Sequence, residues 1–77
     1  MYTLYYKPTC PYCIKVTDFA KEHDISLSLK DINVDSVAEE LIARGGKRMV
    51  PYLVDEEAGK EMYESSDIIA YITLKEL

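Results

Sequence analysis

The chain has 77 residues, with 9 Lys+Arg against 14 Asp+Glu and a formal net charge of −5. That balance argues against a general nucleic-acid binder, which needs a basic surface to displace counterions from phosphates. Hydrophobic residues make up 48%, enough for one small core and too many for a disordered chain, while no apolar run approaches the ~18 residues of a membrane span.

Residues 2–6, Tyr-Thr-Leu-Tyr-Tyr, are aromatic and β-favouring and predict a first strand. Lys7-Pro8-Thr9-Cys10-Pro11 breaks it. From Pro11 to about His23 the pattern is helical, with Val16, Phe19, Ala20 and His23 on one side. Pro11 suits the first helical position, where its missing N–H would have had no partner. Ile25, Leu27 and Leu29 alternate with polar residues, as in a half-buried strand near a sheet edge. Asn33 is the expected N-cap of a second helix, in which Val34, Val37, Ala38, Leu41 and Ile42 form the apolar stripe and Gly45-Gly46 the stop. Residues 51–54 predict a third strand, 56–59 a turn and 60–63 an antiparallel fourth strand. Ser65 or Ser66 then caps a last helix with Ile68, Ile69 and Ile72 on its inner face. The order β-α-β-α-β-β-α implies an α/β fold. Its four-stranded mixed sheet has parallel first strands, a final hairpin and helices on both faces.

The sequence has two cysteines, Cys10 and Cys13, too few for a disulfide scaffold. A bond between them closes so short a loop that it restrains the unfolded chain little, so a thiol pair that changes oxidation state is the better account. The pair falls where a strand gives way to a helix. With Pro11 as the first helical residue, Cys10 is the N-cap, and its sulfur lies beside unpaired N–H groups at the positive helix end. Both favour thiolate, and Lys7 adds positive charge. Cys13, one turn further in, is the resolving thiol to the Cys10 nucleophile. A zinc site would need four ligands, and His23 is the only other soft donor in the chain; a metal shared between two chains stays open.

Lys7-Pro-Thr-Cys10-Pro11-Tyr12-Cys13 resembles the active site of dithiol glutaredoxins, and the likeness runs over essentially the whole chain. It differs from the Trp-Cys-Gly-Pro-Cys of thioredoxins, since the sequence contains no Trp. The resemblance implies a thioredoxin-like fold and a single glutaredoxin-like domain over residues 1–77. Met49-Val50-Pro51 is similar to the family's Thr-Val-Pro, with Met49 replacing Thr. The resemblance makes Pro51 cis and leaves the Val50 backbone to pair with an extended peptide. Where glutaredoxins hold the γ-glutamyl end of glutathione with Gly-Gly-Cys-Asp-Asp, this chain has Glu64-Ser65-Ser66-Asp67. That stretch looks more like the Glu/Gln-Ser motif of glutathione transferase N-terminal domains. Here a helix N-terminus doubles as an anion site: Ser65 and Ser66 would meet the carboxylate, and Asp67 or Glu64 the ammonium. Arg48 or Lys47, with Lys7, would attract the glycyl carboxylate, and Tyr12 would close the pocket. His23 and the remaining tyrosines are assigned to packing or surface.

The resemblance thus implies a glutathione-dependent thiol–disulfide oxidoreductase acting on glutathionylated and disulfide-bonded proteins. Glutathione is the co-substrate, regenerated by glutathione reductase and NADPH. No tightly bound cofactor, metal, nucleic acid or membrane is expected. A cytoplasmic monomer is expected, since Met1-Tyr2-Thr3-Leu4 lacks the blocks of a signal peptide. Two rivals remain. One is a dimeric module holding a metal or iron–sulfur centre through Cys10 and bound glutathione. The other is a transferase-like domain that uses glutathione without cycling its own cysteines, ranked last because the sequence given carries no helical second domain for an electrophile.

Overall fold

The computed structural model describes residues 2–77; Met1, first residue of the N-terminal segment considered above, lies outside them. The elements run β1 (Tyr2–Tyr6), α1 (Pro11–Glu22), β2 (Leu27–Asp31), α2 (Asp35–Gly45), β3 (Tyr52–Asp55), β4 (Lys60–Tyr63) and α3 (Ser65–Glu76). The strands form one sheet in the order β2-β1-β3-β4. β1 and β2 are parallel, with Leu4 opposite Leu29, and β1–β3 and β3–β4 are antiparallel, with Leu4 opposite Leu53 and Tyr52 opposite Tyr63. This is the mixed sheet that the element order required.

The period-2 alternation of the central strands sorts side chains into two cores. Tyr2, Leu4 and Leu53 point to one face and pack with Val16 of α1 and Ile68 and Ile72 of α3. Tyr5, Tyr52 and Val54 point to the other and pack with Ile32 and with Ala38 and Leu41 of α2. Two helices therefore cover one face and a single helix the other.

Four local expectations are corrected. Asn33 is not the cap of α2: it lies in a turn in which the Asp31 carboxylate accepts its N–H at 2.9 Å and the Asp31 carbonyl accepts the Val34 N–H at 3.1 Å, so Val34 holds the cap and the helix begins at Asp35. With a lone helix over that face, the stripe narrows to buried Ala38 and Leu41 with partly buried Val37, and Val34 and Ile42 are exposed. His23 caps α1 on the outside and leans on the Phe19 ring, centroids 4.6 Å apart, instead of turning inward. Neither serine caps α3. Glu64 occupies the cap with φ 75°, and Ser65 and Ser66 are already helical. Gly46 ends α2 as read, with φ 83°, its N–H bonded to the Ile42 carbonyl at 2.8 Å.

Among the described residues no helix is long and apolar enough to cross a membrane, and no three His, Cys, Asp or Glu side chains gather as metal ligands.

Candidate active site

Three chain segments meet above the sheet where β1 ends. The first is the turn from β1 into α1. Cys10 sits at the N-cap with extended backbone (φ −81°, ψ 119°), and its N–H bonds back to the Lys7 carbonyl at 3.0 Å. Cys10 is half-buried, Cys13 is fully buried, and both are free thiols.

The two sulfurs ionise very differently. Burial works against a Cys10 thiolate, but the backbone N–H and the thiol of Cys13, the N–H of Tyr12 and the charge of Lys7 outweigh it, so the Cys10 pKa is lowered. Cys10 makes no cap hydrogen bond of its own; these N–H groups act on the sulfur as aligned dipoles at the helix end. Burial pushes the Cys13 thiol up to about 12. The Cys10 sulfur adds to that rise through its hydrogen bond and charge, and the Lys7 N–H opposes it. At neutral pH, Cys13 is therefore a proton donor to its partner. Alkylation followed against pH should show one thiol with a midpoint below the ~8.5 of a free cysteine and the other silent through the neutral range. A midpoint near the free value would remove the helix-terminus argument.

The second segment is the loop between α2 and β3. Its Val50–Pro51 peptide bond is cis, as the resemblance implied. Met49 on this loop is largely exposed. The third is the start of α3, where the first intrahelical bond runs from the Ile68 N–H to the Glu64 carbonyl at 3.0 Å. The N–H groups of Ser65, Ser66 and Asp67 are thus left without helical acceptors.

Between the three segments lies a groove of about 450 Å³. Tyr12 lines it from α1, Met49, Val50 and Pro51 from the loop, and Glu64, Ser65 and Ser66 from the start of α3. The structure thus gathers seven of the residues singled out from sequence. Outside the lining stand the thiol pair Cys10 and Cys13, and also Lys47, Lys7, Asp67 and Arg48. Lys7 acts on the thiol pair instead, Asp67 is exposed in the first turn of α3, and the Arg48 guanidinium turns away to the Ile32 carbonyl at 3.4 Å. The groove also contains Lys15 and Tyr63, which the sequence reasoning missed. Lys15 was within reach of it: it follows Tyr12 by three residues, so both emerge on one face of α1.

Glu64 carries a backbone conformation that L-residues rarely adopt, at a cost of roughly 1–3 kcal/mol, in the wall of the groove. Glu64→Gly should therefore stabilise the fold by about 1 kcal/mol in urea unfolding while removing a groove carboxylate. No gain would mean that the backbone is not strained there.

A family model for the glutathione S-transferase N-terminal domain matches residues 4–76. The chain belongs to that family. Among solved structures, this transferase-type domain is 29% identical to a delta-class glutathione transferase from Nilaparvata lugens, with a TM-score of 0.81 over 97% of this chain and 36% of that one. It is 27% identical to human glutathione transferase T1-1, with a TM-score of 0.81 over 97% of this chain and 32% of that one. It therefore spans about a third of the length of these transferases. A thioredoxin-like protein superposes end to end, with 19% identity, a TM-score of 0.77, and 96% and 99% of the two chains covered; the fold is thioredoxin-like. No curated protein matches the sequence.

Proposed function

We propose that this transferase-family domain is a glutathione-dependent thiol–disulfide oxidoreductase of glutaredoxin type, with Cys10 as nucleophile and the groove as the glutathione site. The observation that carries the proposal is the placement of the thiol pair: half-buried Cys10 at the N-cap of α1 and buried Cys13 one turn in, on either side of Tyr12, which lines the groove. Helix-end N–H groups and Lys7 there favour the Cys10 thiolate, and burial keeps Cys13 protonated. The Cys10 thiolate attacks the glutathionyl sulfur of a protein–glutathione mixed disulfide. The S–S bond breaks, the protein leaves as its thiolate, and glutathione stays on Cys10. The thiolate of a second glutathione attacks that glutathionyl sulfur, oxidised glutathione departs, and Cys10 leaves as thiolate. A lowered pKa serves both steps, since it ionises the attacking sulfur and improves the leaving one.

In the groove, the free N–H groups of Ser65 and Ser66 suit the γ-glutamyl carboxylate and Glu64 the ammonium. Val50 offers backbone for antiparallel pairing. Lys15 takes the place of Arg48 as the cation nearest the ligand, because Arg48 is turned toward Ile32.

The family match supports a second use of the same groove, activation of glutathione for transfer to an electrophile without cysteine cycling. Two assays on one preparation separate the uses. Turnover of a glutathionylated protein with glutathione and glutathione reductase, lost in Cys10→Ser, is the expected result. Conjugation of a small electrophile that survives Cys10→Ser, without mixed-disulfide reduction, would reverse the assignment.

A further inference from the structure

We propose that Tyr63 is a positioning residue for the loop that carries Val50, and that position 45 is glycine to let it act. Tyr63 ends β4, opposite Tyr52 across the ladder, and the two rings pack with centroids 4.4 Å apart. From there the Tyr63 hydroxyl reaches the loop and donates to the Lys47 carbonyl at 2.8 Å. Lys47 is three residues before Val50, and Tyr63 shares the groove wall with Met49, Val50 and Pro51. One side chain thus ties the sheet, the loop and the ligand-facing surface together.

Gly45 supports this assignment independently. It lies in the last turn of α2, where alanine would ordinarily hold a helix better by about 0.5–1 kcal/mol. A Cβ placed there would sit 2.2 Å from the Tyr63 hydroxyl oxygen and 2.8 Å from Cζ. The positive-φ role at the helix end belongs to Gly46 instead. Gly45 is therefore explained by close approach, and what approaches is the end of the Tyr63 ring. Because that end is the part able to move, a side chain at 45 should push the ring aside and break the bond to Lys47 without unfolding α2.

The free protein tests the loop, and turnover tests its consequence, which rests on the glutathione reading above. Tyr63→Phe keeps the ring and removes only the hydroxyl. Amide exchange over residues 47–50 should quicken by about fivefold, the worth of one ordinary hydrogen bond. The KM for glutathione should rise by a similar factor, with kcat and the Cys10 alkylation midpoint unchanged. Gly45→Ala should reproduce both effects, and should do nothing further in a Tyr63→Leu background, where the ring is gone. Unchanged exchange in Tyr63→Phe, faster exchange with an unchanged KM, or additive effects of Gly45→Ala and Tyr63→Leu would each overturn the proposal. A wild-type protein without glutathione turnover would instead sink the functional reading and leave the exchange result to stand or fall alone.

Discussion

Cys10→Ser should bring reduction of a protein–glutathione mixed disulfide down to the uncatalysed rate, while Cys13→Ser should keep that rate within about fivefold of wild type. The asymmetry follows from the protonation states. Cys13 is buried and holds its proton far above neutrality, so in the resting protein it serves as a donor to the Cys10 sulfur and not as a second nucleophile. A serine hydroxyl can make the same donation, and imperfect replacement of one hydrogen bond costs about 1 kcal/mol, or about fivefold. Once glutathione is on Cys10, the charge that helped hold the Cys13 proton is gone, but burial, the largest cause of the rise, remains. External glutathione therefore has the advantage in resolving that intermediate. Ordinary protein disulfides are different, because the mixed disulfide places no glutathione in the groove and Cys13 must resolve it; there Cys13→Ser should lose activity as well. Equal loss in the two variants on the glutathionylated substrate would refute the glutathione route and favour a two-thiol cycle.

The parts of this site that could be read from sequence are those in which one residue type dictates the backbone. Pro11 at the first helical position places Cys10 at the cap, and the β-favouring run of residues 2–6 is the first strand. What could not be read depends on competition between neighbours. Asn33 is a good cap in isolation, but the chain leaves β2 through a turn held by Asp31, whose carboxylate and carbonyl accept the Asn33 and Val34 N–H groups, and the helix starts only at Asp35. Ser65 and Ser66 are good caps too, yet the chain turns at Glu64 through a conformation for which sequence would have suggested glycine. Arg48 carries the right charge for a carboxylate, but its direction is set by a carbonyl at the start of the β2–α2 turn. Tyr63 reads as one more strand tyrosine until Gly45, eighteen residues away, is seen to make room for it.

The far end of the sheet provides the other large expected effect, and it concerns stability alone. Asp55 closes β3 almost completely buried, yet it is charged. Lys75 and Tyr71 from α3 both donate to its Oδ2, the tyrosine at 2.6 Å. The hydrogen bond from Lys75 is the main cause that holds its carboxyl down to about 2, with Tyr71 next and burial opposing. The same corner binds Tyr2 to Glu76 at 2.8 Å, so α3 is tied to β1 and β3 through polar contacts below the apolar core. Asp55→Asn preserves shape and removes the charge, leaving Lys75 with a neutral partner, and should cost roughly 1–3 kcal/mol. That is a large share of the roughly 4–12 kcal/mol expected for a domain of this size. The sign with pH follows from a folded pKa depressed below the ~3.9 of an unfolded aspartate. The wild type has the full contribution above about pH 4 and loses it as pH falls through about 2. Glu40, held down by Lys30, titrates alike in both proteins and leaves the difference unaffected. Urea midpoints should therefore be well separated at pH 7 and converge as pH falls from about 4 toward 2. A separation that persists unchanged at low pH would mean that the substitution acts through packing, and that the charge of Asp55 does not hold α3 to the sheet.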